Sequence, residues 1–230
     1  MKNLSRLVFV TLLVMATGNV NAQDKNNPWQ ITVGVNAVDA LGTGNQVGNE
    51  DIGFSRLYDV GGEWSVSPAM SMLSVGRYLG NNFSVGVAGT FNRLDKWNTG
   101  VQKATATSEL MYYGLDGMVK YSLADLVNSN KLEPFVSLGG GYTWMEQPGT
   151  ELAGLATLNG TVGVSYWFND FIGITAQSGL KNSFDEVVLV DHFQHSVGVT
   201  IKFGGKDTDS DGVYDKYDVC PEVPGLAEFN

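Results

Sequence analysis

The densest grouping of potential ligands is near the C-terminus, at Asp207, Asp209, Asp211, Asp215 and Asp218. As D-x-D-x-D-G-x-x-D-x-x-D they take positions 1, 3, 5, 9 and 12 of a twelve-residue loop, with Gly212 at position 6. That is the layout of a calcium loop, in which the Val213 carbonyl supplies the ligand at position 7. Ca²⁺ takes about 6–8 hard oxygens, and carboxylates held this close without a cation would repel one another. Gly212 permits the sharp turn that brings them together. Asp218 is shorter than the bidentate Glu usual at position 12, so binding at the weak end of the range is expected. No helical pattern flanks the loop, which sets it apart from a paired helix–loop–helix site. The competing reading is a solvated acidic linker.

Other reactive types are sparse. The two histidines, His192 and His195, lie near Asp191 and Ser196. Three residues apart on a strand they point to opposite faces and cannot share one site, so no catalytic role is expected. Glu50, Asp51 and Asp59 read as solvated loop charges. There is no phosphate-cradling glycine loop and no Cys/His set at zinc spacing. Cys220 is the single cysteine, either free or paired outside this chain. Asp116 and Lys120 share one strand phase, and Asn92, Gln177 and Lys181 take the corresponding phase on other segments. Charges on the inner face of a narrow barrel must be paired or hydrated.

The elements that carry these residues begin after an export signal. Lys2 and Arg6 form a basic start, Leu7 to Ala16 an apolar core, and Val20-Asn21-Ala22 a signal-peptidase site, with cleavage before Gln23. The apolar run is too short for a spanning helix, which needs about 20 residues. Over the whole chain 14 basic residues face 24 acidic ones, which argues against nucleic acid as a partner. Charged residues make up 17% of the chain, below the roughly 25% of soluble domains, while Gly, at 29 of 230, is above the usual ~7%. Little charge with much Gly suits a β protein that faces something other than water.

Period-2 alternation marks strands at 29–38, 70–79, 83–92, 112–121, 134–144, 157–168, 172–181 and 193–203. Each is about ten residues, and a tilted transmembrane strand needs ~9–11. The connections are long at 39–69, 93–111, 145–156 and 182–192, tight at 80–82 and 169–170, and intermediate at 122–133. Long and short connections alternate in outer-membrane barrels, the long loops outside and the tight turns in the periplasm. The polar phase reads Ser84, Gly86, Ala88, Thr90, Asn92 on the third segment and Gln194, Ser196, Gly198, Thr200, Lys202 on the last. Apart from a lysine at a strand end these are small uncharged groups, which suit a narrow lumen, where eight strands leave room only for side chains, and disfavour a water-facing exterior. The opposite phase, including Phe83, Val85, Val87, Leu158, Val162, Val164, Val197, Val199 and Ile201, then faces lipid. Tyr142, Trp144, Tyr166, Phe168 and Phe203 fall at strand ends, where aromatic girdles belong. Arg77 shares the outward phase and must snorkel to the interface. The expected fold is all-β: an eight-stranded antiparallel transmembrane β-barrel with an Asp-rich calcium-loop tail.

With Val219-Cys220-Pro221 and Gly225 added, the tail resembles a thrombospondin type-3 repeat. The order of signal peptide, barrel and repeat is similar to that of OmpA-family outer-membrane proteins, in which such repeats link the barrel to a peptidoglycan-binding domain. The resemblance implies a signal peptide at 1–22, an outer-membrane barrel at 23–204 and the start of a calcium-binding linker at 205–230. It also implies a partner cysteine for Cys220 and a peptidoglycan-binding domain, both beyond Asn230, so that this chain would be a piece of a longer protein. The function expected is a non-enzymatic structural barrel. It would sit in outer-membrane lipid with its tail in the periplasm, and would reach peptidoglycan only through that further domain. A small porin, and an adhesin or receptor using the Asp39–Ala69 loop, are the alternatives.

Overall fold

A computed structural model describes residues 27–39, 64–67, 69–98, 103–127, 129, 131–146, 152–184, 191–209, 214–215 and 218–225. The proposed export signal and most of the first long loop lie outside the described residues. The elements are β1 (Trp29–Asp39), β2 (Ser65–Val66), β3 (Met72–Gly80), β4 (Phe83–Asn98), β5 (Lys103–Ser122), α1 (Ala124–Val127), β6 (Leu132–Met145), β7 (Ala153–Trp167), β8 (Ile172–Ser183) and β9 (His192–Phe203).

Each strand pairs antiparallel with the next, from β3 to β9. β1 pairs with β3 on one side and with β9 on the other, from Trp29 opposite Phe203 to Asp39 opposite Phe193. The sheet is thereby a closed eight-stranded barrel, and closure leaves no open edge for its backbone groups. The two-residue β2 adds a short pairing to β1 at the loop end.

Small turns close the barrel at the end where the chain enters and leaves. Asn81 and Asn82 both have positive φ, at 51° and 66°, the twist that a two-residue hairpin needs and that Asn tolerates. At the β7–β8 turn the Asn169 Oδ1 accepts hydrogen bonds from the N–H groups of Phe171 and Ile172, at 2.9 and 2.8 Å. In the third turn the Ser129 hydroxyl oxygen accepts from the Lys131 and Leu132 N–H groups.

The two faces divide as the alternation predicts. Leu73, Val87, Leu138, Leu158, Val162 and Val199 are exposed on the outside, Leu138 to 71%. Ser84, Asn92, Thr157, Ser165, Thr175 and Thr200 are buried inside. An apolar exterior around a polar interior is the partition of a barrel built for lipid. Tyr142 pairs with Trp144 and Phe83 with Tyr121 at opposite ends of the wall, with ring centroids 4.7 and 4.8 Å apart. Arg77 does point outward, and its guanidinium lies 5.3 Å from the Trp29 ring centroid at the turn end.

Several boundaries differ from the sequence reading. The connection expected at 93–111 is mostly strand: β4 continues to Asn98 and β5 begins at Lys103, with Asn98 opposite Lys103. The reason is physical. A hairpin that rises past the membrane has water on both faces, so its hydropathy stops alternating while its backbone ladder continues. The expected loop at 39–69 contributes β2. The 122–133 connection holds α1, and its last two residues, Leu132 and Glu133, belong to β6.

Candidate functional site: the lumen and the tail

β5 shows how the interior is ordered. From the turn end upward its inward residues are Ser122, Lys120, Met118, Asp116, Gly114, Tyr112 and Leu110. Ion pairs form at two levels of this ladder. Lower down, Lys120 Nζ donates to Glu133 Oε1 at 3.2 Å, and the Trp167 indole N–H donates to Glu133 Oε2 at 2.9 Å. Lys202 Nζ sits 3.6 Å from the Trp167 ring centroid, so the ring binds a cation on its face while its N–H holds the carboxylate. Hydroxyls of Ser165, Thr175, Thr200 and Thr32 join hand to hand across β7, β8, β9 and β1 at 2.8, 2.7 and 3.0 Å.

At the upper level Lys181 Nζ donates to Asp116 Oδ2 at 2.7 Å. The other oxygen, Oδ1, accepts from the Asn159 amide at 2.7 Å. Lys181 also lies 5.9 Å from the Tyr112 ring centroid, and the Tyr112 hydroxyl is 3.0 Å from His192 Nε2. Gly141 and Gly114 make this packing possible. A Cβ on Gly141 would overlap Asp116 Oδ1, and one on Gly114 would stand 2.9 Å from Lys181 Nζ. Above the pair, Val38, Leu94, Leu110, Tyr112 and Met145 form a buried apolar cluster that caps the lumen.

Two cavities of about 50 Å³ each lie in the interior, one beside Asp116 and Lys181, the other beside Gln30 and Lys120. Met72, Met118 and Gln177 line both and so lie between them. The upper cavity presents Thr90 Oγ1, Asn159 Oδ1 and Gln194 Nε2, which are buried without a hydrogen-bond partner among the described residues. A polar cavity of this size has room for a few waters.

The inward assignment of Asp116, Lys120, Asn92, Gln177 and Lys181 therefore holds, and the structure supplies the pairing. Asp116 pairs with Lys181, and Lys120 pairs with Glu133. Glu133 is the residue that sequence reasoning missed, because it was assigned to a connection. Its parity with Phe135, Ser137 and Gly139 was the available signal. The two histidines do face opposite ways. His192 meets Tyr112 inside, and His195 stacks on Trp64 outside with ring centroids 4.0 Å apart.

In the tail, Asp211, Gly212 and Val213 lie outside the described residues. Asp215 accepts from the Thr208 N–H and hydroxyl, each at 2.7 Å, and Lys206 Nζ is 3.6 Å away. The Thr208 hydroxyl bond chiefly holds the Asp215 carboxyl below its usual range, so Asp215 is ionised. Asp218 Oδ1 accepts from the Cys220 N–H at 2.8 Å, while its Oδ2 is buried with no hydrogen-bond partner among the described residues. Cys220 is free and exposed. Among the described residues no three His, Cys, Asp or Glu side chains converge on one point. An ionised Asp215 and a buried, unsatisfied Asp218 oxygen fit the donor chemistry of a hard cation.

This is a closed eight-stranded antiparallel transmembrane barrel with a charge-paired lumen. No protein-family model and no curated protein matches the chain. Among solved structures, the outer membrane protein OprG from Pseudomonas aeruginosa is similar, with a TM-score of 0.50 at 13% identity, covering 81% of this chain and 99% of that one. Neisserial surface protein A gives 0.48 at 13% identity, covering 78% and 98%. The N-terminal β-barrel domain of Pseudomonas aeruginosa OprF gives 0.46 at 12%, covering 77% and 98%. At such identity the OprG likeness shows the fold.

The lumen makes a direct prediction. Lys181→Met leaves Asp116 buried and unpaired and should cost about 3–5 kcal/mol in urea unfolding from lipid vesicles. Asp116→Leu combined with Lys181→Met should recover most of the loss. A double variant no more stable than Lys181→Met alone would show that the pair is not the unit of stability.

Proposed function

We propose that this chain is an outer-membrane anchor rather than a channel. The barrel sits in outer-membrane lipid, its turn end facing the periplasm, and the tail from residue 205 leads into the periplasm. The observation that carries the reading is the charge-bonded lumen: two levels of ion pairs, an apolar cap and, among the described residues, two cavities of about 50 Å³ between them. Eight strands enclose a circle that side chains can fill. In this reading the barrel holds position and conducts nothing. Catalysis is not part of it, since His192 and His195 stand on opposite sides of the wall.

In the same reading the tail is a calcium-binding linker, with Asp207, Asp209, Asp211, Asp215, Asp218 and the Val213 carbonyl as ligands. Calcium would stiffen a stretch too acidic to pack a core of its own. The resemblance to a thrombospondin type-3 repeat supports a tether that reaches peptidoglycan through a domain beyond Asn230.

Two experiments test these two parts. The folded chain in a planar bilayer should show no sustained conductance, whereas a steady ion current from the unmodified protein would favour the porin reading. Titration calorimetry on the full chain should show Ca²⁺ binding with a dissociation constant of about 10⁻⁴–10⁻³ M and little response to Mg²⁺. Asp211→Asn and Gly212→Val should weaken it. No calcium heat at millimolar concentration, or equal heats from both variants, would leave the run as an acidic spacer.

A further inference from the structure

The lumen lysines all have partners within the barrel. Lys181 is paired with Asp116, Lys120 with Glu133, and Lys202 lies over the Trp167 ring. Arg77 on the outer wall is different. Its side chain is exposed, and among the described residues its guanidinium makes no ion pair and no hydrogen bond. Its interaction there is with the Trp29 ring, at 5.3 Å from the centroid. From the turn end up to Phe91, Tyr113, Trp144 and Phe193, the outward phase of the described strands carries no other charged side chain.

The place of this charge in the wall is fixed. Arg77 stands directly opposite Trp29, and Trp29 opposite Phe203, so the three form one row across β3, β1 and β9. Phe83 and Tyr121 pack together on the next two strands, two residues nearer the turns. Trp29 is itself held from the other side. Gly204 has a positive φ of 86°, and a Cβ on it would stand 2.8 Å from Trp29 Cδ1, so the ring occupies the space of a side chain. Beside the pair, the Tyr78 N–H donates to the Pro28 carbonyl at 2.7 Å and ties β3 to the start of β1.

Aromatic girdles lie at the level of the lipid headgroups. A guanidinium resting against an aromatic face keeps N–H donors in a planar fork that matches two oxygens of a phosphate. The chain has 24 Asp and Glu, yet no described carboxylate pairs with Arg77. A cation beside hydrocarbon with no carboxylate of its own takes its counter-charge from its surroundings, and at this depth the abundant anion is the lipid phosphate.

We propose that Arg77, braced on Trp29, binds the phosphate group of a phospholipid in the leaflet at the turn end of the barrel. The long side chain carries the charge out from the apolar wall, and the Trp29 ring keeps it at one height. The contact fixes how deep the turn end sits in the membrane. The proposal rests on the membrane reading of the barrel and adds a specific headgroup contact to it.

The test is solid-state NMR of the full chain, with isotope-labelled arginine nitrogens, in liposomes of phosphatidylethanolamine and phosphatidylglycerol and a phosphate-free buffer. Dephasing of a guanidinium signal by lipid phosphorus reads the distance between them. The signal that Arg77→Gln removes is that of Arg77. It should be dephased to a nitrogen–phosphorus separation of about 4 Å, that of a charge-assisted N–H to phosphate-oxygen bond. No dephasing of this signal in the inserted chain overturns the proposal. In liposomes of a phosphorus-free glycolipid, with inorganic phosphate in the buffer, the signal should not be dephased. Dephasing there would make free phosphate the ligand and contradict the lipid assignment. Trp29→Leu should lose most of the dephasing, and an unchanged signal overturns the role given to Trp29. Insertion is read separately by the shift in gel mobility on heating. A chain that fails to insert contradicts both readings, whereas one that inserts without the phosphorus contact contradicts the Arg77 site alone.

Discussion

Lys181 and Asp116 meet at 2.7 Å in an interior ringed by eight strands, with hydrocarbon-facing side chains a single wall away. Neither charge could stay in that place alone. The barrel therefore has to satisfy a condition that a soluble core rarely faces: its polar groups are inside, out of bulk water, and each must find a partner among the others. The second pair, Lys120 and Glu133, meets the same condition lower in the lumen, helped by the Trp167 N–H. The small residues along the inward faces follow from it. Gly141 and Gly114 are bare because Asp116 and Lys181 occupy the volume where their side chains would be.

The same condition bears on whether the lumen can conduct. A conducting lumen needs a continuous wet path. Here the charged side chains bond across the lumen to one another, two methionines and Gln177 lie between the remaining cavities, and an apolar cluster covers the upper end. The Asn92 amide ties the loop end further, donating to Asn36 Oδ1 at 3.0 Å and to the Ser65 carbonyl at 2.9 Å, which fastens β4, β1 and β2 together.

Much of this was legible in the sequence, and for a definite reason. Within the membrane each strand has lipid on one side and lumen on the other, so the period of two is forced on every residue. Val85 against Ser84, or Val199 against Thr200, could be assigned from parity alone. Legibility ended where that constraint ended. Above the membrane β4 and β5 run on with water on both faces, and the pattern from Arg93 to Met111 looked like a loop. At the turn end Glu133 was lost because Pro134 reads as a strand start. Which lysine pairs with which carboxylate was not legible at all. Parity places a side chain inside, but the stagger between strands decides whether Asp116 meets Lys120 on its own strand or Lys181 from β8. Nor does a sequence show that Trp64, from a loop, covers His195. For the tail, the spacing of aspartates was the whole of the signal, and the described residues add the buried Asp218 oxygen and the Thr208–Asp215 bonds.

The central claim is the inside-out partition, and it is tested most directly by which side chains touch lipid. With the chain in nanodiscs that contain a lipid spin-labelled on its acyl chain, methyl NMR signals of Val85, Val87, Leu138 and Val199 should broaden strongly. Those of Met72 and Met118 should stay sharp. A water-soluble relaxation agent should leave all of these signals unaffected. The opposite pattern, with the two methionines broadened by the lipid label or the valines by the soluble agent, would contradict the account.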